Sequence, residues 1–194
     1  KLLCLENTFS GKVQPQSELD ELAKAAHNRG LKVHLDGARL FNAHIHSGLS
    51  MESLVNTFDS VSICLSKGLG APIGSLLVGD QTTIDKAKRL RKMLGGGMRQ
   101  VGVIASCGMY ALKNNVKKLQ DDHNNAKLLA NGLSTISQLS VDYDENQTNM
   151  VFVSCPEPHR APLEKFLAER EIIISNLDRG RLVCHLGITE KDVL

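Results

Sequence analysis

Two short stretches hold residues able to do covalent chemistry: VHLDGARLFNA, residues 33–43, and DSVSICLSKGLGAPIG, residues 59–74. Each ends an apolar run on a charged residue followed at once by glycine, Asp36 before Gly37 and Lys67 before Gly68. Taken alone, an acid in that position caps the next helix, and a lysine in a glycine-rich loop is solvated. Taken together, an amine and a carboxylate on neighbouring strand ends are what a pyridoxal phosphate site needs. The amine forms a Schiff base with the cofactor aldehyde, and the carboxylate keeps the ring nitrogen protonated so that the ring draws electrons.

For these residues to meet, the runs before them must be strands of one sheet. In parallel α/β sheets ligands collect at the carboxyl ends of the strands, where helix starts offer free N–H groups. The pattern predicts a strand at residues 2–5, a helix in SELDELAKAAHNRG with Leu19, Leu22, Ala25 and Ala26 at helical spacing, and a second strand in LKVHLD. ARLFNAHIHSG then reads as a short helix, with SVSICL and GSLLVGD as two further strands. Strands alternating with helices imply α/β architecture with a largely parallel sheet, and the short link SKGLGAPI permits an antiparallel last step.

From Thr82 the pattern becomes helical. TIDKAKRLRKML places Ile84, Ala87, Leu90 and Met93 on one face, which predicts a buried stripe. The glycine run 95–97 interrupts it, MRQVGVIASCGMYALK resumes as an apolar helix, and a third helical segment runs from about Asn115 to Ile136. LSVDYD, NMVFVSC, EIIISN and RLVCHL read as strands, with a helix from about Ala161 to Arg170 and a last helix begun at TEKDVL, capped by Thr189 with Asp192 at its third position. We therefore expect a large-domain portion over residues 1–120 and a small α+β domain over 121–194, with the boundary near 115–137. The chain reads as cut at both ends.

Composition narrows the function classes. A chain of 194 residues that is 42% hydrophobic supports a packed core, and a net charge of +2 supplies no field for nucleic acid or membrane. The basic run KAKRLRK carries the apolar stripe just described, so it reads as a solvated helix face rather than a nucleic-acid contact. No apolar run nears the roughly 20 residues of a membrane span. The five cysteines, Cys4, Cys64, Cys107, Cys155 and Cys184, lie scattered in apolar runs, the pattern of buried free thiols without disulfide or zinc. With no recognisable targeting signal, that suggests the cytosol, and a mitochondrial location stays open. GLGAPIG resembles a dinucleotide fingerprint only superficially, since its glycines fall at 68, 70 and 74, so NAD is not expected.

HLDGARLFNA, SVSICLSKGLGAPIGSLLVG, LRKMLGGGMRQ, QTNMVFV and RLVCHL, in this order, closely resemble the low-specificity threonine aldolases, pyridoxal phosphate enzymes of fold type I, the aspartate aminotransferase fold. The resemblance covers essentially the whole chain. It implies that Lys67 is the Schiff-base lysine and Asp36 the partner of the pyridine nitrogen. It further implies that Arg39 lies near the ring oxygen and the substrate carboxylate, and that Arg181 clamps that carboxylate. Arg99 matches an arginine that reaches a neighbouring subunit's cofactor phosphate, in a homodimer or homotetramer. The implied reaction is retro-aldol cleavage of L-threonine or L-allo-threonine to glycine and acetaldehyde, with a histidine or a held water as the usual base. Two departures stand out. Phe9 occupies the place of a family histidine, and the family's phosphate loop and ring-stacking histidine precede the segment in hand. Another lyase or transferase of the same fold, or an inert truncated product, stays open on the sequence.

Overall fold

Strands Leu2–Glu6 (β1), Lys32–Asp36 (β2), Ser60–Cys64 (β3) and Ser75–Gly79 (β4) form one sheet in the order β1-β2-β3-β4. In this computed structural model, which describes residues 1–174 and 176–194, β1, β2 and β3 run parallel and β4 runs antiparallel to β3. The antiparallel step that the short link permits is therefore taken. Helices Gln16–His27 (α1) and Leu40–Ser47 (α2) connect the parallel strands as expected. A five-residue helix, Met51–Val55 (α3), is added where Ser50 caps Ser53 N at 3.1 Å.

Alternation decides which face is covered. In β2, Val33 and Leu35 are buried, while Lys32 and Asp36 are exposed and His34 is half-buried on the other face. Val33 packs with Ala23 and Ala26 of α1; Leu35 packs with Leu40, Leu54, Val61 and Ile63. Gly37 is the pivot at the end of β2. A Cβ there would stand 2.9 Å from the Ser62 carbonyl oxygen and 3.1 Å from Leu40 Cβ, so only glycine lets the turn pass this close to β3.

After β4 come helices Gln81–Met93 (α4) and Gly102–Asn114 (α5), then a 3-10 turn at Val116–Lys118. The buried stripe expected of α4 is not formed. None of its residues is buried, and Leu90 and Met93 are 54% and 70% exposed. The period is present in the sequence, but the described residues cover it only in part, leaving Ile84 and Ala87 half-buried. Helix α5 is anchored instead by Gly108 and Ala111.

The chain divides into two compact units, Lys1–Leu119 and Gln120–Leu194. Helix Leu119–Ser134 (α6) opens at that division. The second unit has an antiparallel sheet of Ser140–Asp142 (β5), Met150–Ser154 (β6) and Gly180–Val183 (β7), with Arg160–Ala168 (α7) and a short final helix, Glu190–Val193 (α8). Ala126 and Ala130 of α6 pack with Val151, Val153, Cys155, Leu177 and Cys184. Thr189 and Asp192 form the expected capping box, Asp192 Oδ2 accepting from Thr189 N at 2.8 Å and from its hydroxyl at 2.6 Å. The strand expected in EIIISN is absent over its described residues, Ser175 lying outside them. Ile172, Ile173 and Ile174 instead border an apolar cavity of about 1030 Å³. Their β-branched run has the propensity of a strand but no ladder partner. Cys4 also departs from the expectation of burial, because it lies on the exposed face of β1.

Candidate active site

Asp36 lies at, and Lys67 just beyond, the carboxyl ends of adjacent parallel strands. Asp36 is the last residue of β2 and pairs with Ser62 of β3, five residues before Lys67. Immediately after Asp36 the chain turns. Ala38 N donates to Asp36 Oδ1 at 3.0 Å, and Gly37 N donates to the Ser62 carbonyl at 2.8 Å. One carboxylate oxygen therefore fixes the turn, and the other has no hydrogen-bond partner among the described residues. Arg39 follows as the N-cap residue of α2, its carbonyl accepting from Asn42 N at 2.9 Å.

The Lys67 loop is built as a rigid bracket. Leu65 N donates to the Gly74 carbonyl at 2.9 Å, Ala71 N to the Leu65 carbonyl at 3.0 Å, and Gly70 N to the Lys67 carbonyl at 2.8 Å. Positive φ angles at Gly70 and Gly74, 74° and 122°, let the loop double back. Leu65 and Leu69, on either side of the lysine, are buried with Ala71, Ala111 and Leu119. Asn115 Nδ2 donates to the Leu69 carbonyl at 2.8 Å. Lys67 itself is exposed and makes no ion pair among the described residues.

On the other side of Asp36, Asn7 N donates to the Asp36 carbonyl at 3.1 Å, and Asn7 Oδ1 accepts from Gln14 N at 3.1 Å. Asn7 and Thr8 are buried, and Asn7 Nδ2 and Thr8 Oγ1 have no hydrogen-bond partner among the described residues. Phe9, at the place of the family histidine, begins a tight turn closed by two 2.9 Å backbone bonds with Lys12 and is 59% exposed.

Asp36, Arg39 and Lys67 thus share one rim of the first unit's sheet. Arg99 is exposed in the connection between α4 and α5 of the same unit. Arg181 belongs to the second unit, on β7 opposite Phe152 of β6. Sequence reasoning missed Asn7 and Asn115, which bond the Asp36 carbonyl and the Leu69 carbonyl of the Lys67 loop. The only available signal was an asparagine at a strand end and another between two helical segments.

Residues 1–156 match the model of the beta-eliminating lyase family. The chain is 46% identical over 193 residues to the low specificity L-threonine aldolase of Escherichia coli O157:H7 and 45% identical over 201 residues to low-specificity L-threonine aldolase 1 of Arabidopsis thaliana. Both alignments cover 100% of this chain, but 57% and 56% of those proteins, so the chain spans little more than half their length. Among solved structures, threonine aldolase of Leishmania major superposes with a TM-score of 0.81 at 19% identity, over 100% of this chain and 58% of that one. Serine palmitoyltransferase of Sphingomonas wittichii does so with a TM-score of 0.71 at 18% identity, over 99% and 51%. These likenesses show the fold, that of the type I pyridoxal phosphate enzymes.

Proposed function

The chain belongs to the beta-eliminating lyase family, and on that footing we propose that it is the lysine-bearing part of a threonine aldolase that cleaves L-threonine and L-allo-threonine to glycine and acetaldehyde. What supports this reading is that Asp36 ends β2 and Lys67 follows the end of β3, its parallel neighbour, by three residues. The donor set fits pyridoxal phosphate: an exposed amine without an acid partner, and a carboxylate with one oxygen uncommitted. When bound, that cofactor supplies an aldehyde for the lysine amine and an electron-withdrawing pyridine ring.

Each residue has a distinct task. Lys67 is the covalent anchor, and its bracketed loop limits where the amine can reach. Asp36 holds a proton at the pyridine nitrogen through its free oxygen, while Ala38 N fixes the other. Arg39 is assigned to the substrate carboxylate, a task suited to a planar guanidinium with paired donors, and the family resemblance gives Arg181 of the second unit that role too. Arg99 serves the cofactor phosphate of a neighbouring subunit in a homodimer or homotetramer. The β-hydroxyl loses its proton as the Cα–Cβ bond breaks, acetaldehyde departs, and Cα takes up a proton to give glycine.

Borohydride reduction in the presence of pyridoxal phosphate, followed by peptide mass spectrometry, tests the anchor. The expected label is on Lys67 and is lost in Lys67→Ala; a label elsewhere or none overturns the assignment. Glycine release from L-threonine and L-allo-threonine tests the reaction, and silence on both substrates in a labelled protein removes the aldolase reading while leaving the cofactor.

A further inference from the structure

The outer face of the second unit's sheet carries a second guanidinium beside Arg181. Phe152 and Arg181 are directly opposed on β6 and β7, so their side chains leave the same face. Arg179 lies two residues earlier, with its guanidinium carbon 5.5 Å from the centroid of the Phe152 ring, within reach of a cation–π contact. Val151, Val153, Leu182 and Cys184 point into the core on the opposite face. Both arginines are exposed, and neither has an acid partner among the described residues. The adjacent acid, Asp178, is held by Arg160 at 2.9 Å. Asp142 of β5 pairs with Phe152 on this face, but it stands two strands from Arg181 and has an interaction of its own.

We infer that Arg179 is an anion-binding residue beside Arg181, held by the Phe152 ring, and that among β-hydroxy-α-amino acids this face prefers one whose side chain bears a second carboxylate. The inference rests on the proposed role of Arg181 in holding the substrate carboxylate. Arg179 stands just before β7, with Gly180 alone between it and Arg181, so two guanidinium groups without an acid partner among the described residues lie close together, and a ligand with two carboxylates offers one to each. Like charges left unpaired on one face repel each other, and a doubly charged ligand relieves that repulsion. The ring of Phe152 restricts the Arg179 side chain, so less freedom is lost when the anion docks.

The test follows the arginine Nε–Hε resonances of the whole chain by NMR at low salt, with acetate, glycine and succinate as probes. Succinate is expected to shift both Arg179 and Arg181 and to bind about fivefold more tightly than acetate, the scale of an exposed charge pair. Arg179→Gln is expected to bring succinate down to the acetate level. Phe152→Leu is expected to lose most of the preference, and Phe152→Trp to keep it. Equal binding of succinate and acetate by the wild type, or a preference that survives Arg179→Gln, overturns the inference. Failure of acetate and glycine to move Arg181 counts instead against the carboxylate role of Arg181, so the two readings fail separately.

Discussion

Asp59 and Asp122 carry the same functional group, and their surroundings move them in opposite directions. Burial alone would raise the Asp59 carboxyl, but hydrogen bonds from Lys32 Nζ at 2.6 Å, His27 Nε2 at 2.8 Å and Val33 N at 2.8 Å, with the Lys32 charge, hold it at about 2. The folded state therefore favours the carboxylate, and the resulting stability is present above the ordinary value of 3.8 and lost as pH falls through about 2. Asp59→Asn is expected to cost about 1–2 kcal/mol at neutral pH, read as a lower urea midpoint, with the difference shrinking as pH is lowered from 4 towards 2. Asp122 is the converse. Burial, then the neighbouring Asp121 charge, push it up to about 6, and Oδ2 has no hydrogen-bond partner among the described residues. Its ionisation is penalised in the fold, so the penalty is absent below about pH 4 and full above about pH 6. Asp122→Asn is expected to stabilise the protein by about 1–2 kcal/mol at pH 7 and to make no difference at pH 4. Equal midpoints at both pH values would remove this account.

Elements act through the loops they hold. The Lys67 bracket leans on one buried side-chain bond from Asn115 to the Leu69 carbonyl. Asn115→Ala leaves that carbonyl unsatisfied, which costs about 1–3 kcal/mol. Faster amide exchange is expected first at Gly70 and Ala71, whose N–H groups close the bracket, and unchanged exchange there would show that the buried leucines suffice. The strands that carry Asp36 and Lys67 were legible because alternation and terminal glycine act locally, and the cap of α8 was legible because Thr189 and Asp192 are three residues apart. The isoleucines of EIIISN were misread because β-branched runs look alike whether or not a ladder partner stands beside them. Helix α3 escaped notice because five residues give too short a period to detect, leaving Ser50 as its one signal. At the candidate site, the charged residues were legible by type, whereas Asn7 and Asn115 act through backbone contacts 29 and 46 residues distant in sequence, which no local pattern encodes.

For the whole molecule, the informative misreading is α4. Its stripe of Ile84, Ala87, Leu90 and Met93 has the period of a core helix, yet the helix buries no residue. Helix α5 continues the pattern, with Val103, Met109 and Tyr110 exposed by 74%, 73% and 64%, and Leu94 between the two helices by 86%. Soluble monomers seldom leave contiguous apolar patches beyond a few hundred Å² uncovered, because each Å² kept in water forgoes about 25 cal/mol. A sequence period records that a side chain is meant to be covered, but not by which chain. We therefore expect the 21.2 kDa chain to self-associate through α4 and α5. Sedimentation equilibrium should give an apparent mass above the monomer value that rises with concentration over the micromolar range. Val103→Glu with Tyr110→Glu, both on exposed positions of one helix, should return it to monomer without lowering its unfolding midpoint. A wild-type protein that stays monomeric at every concentration would show that two extended apolar helix faces can remain in water unaided.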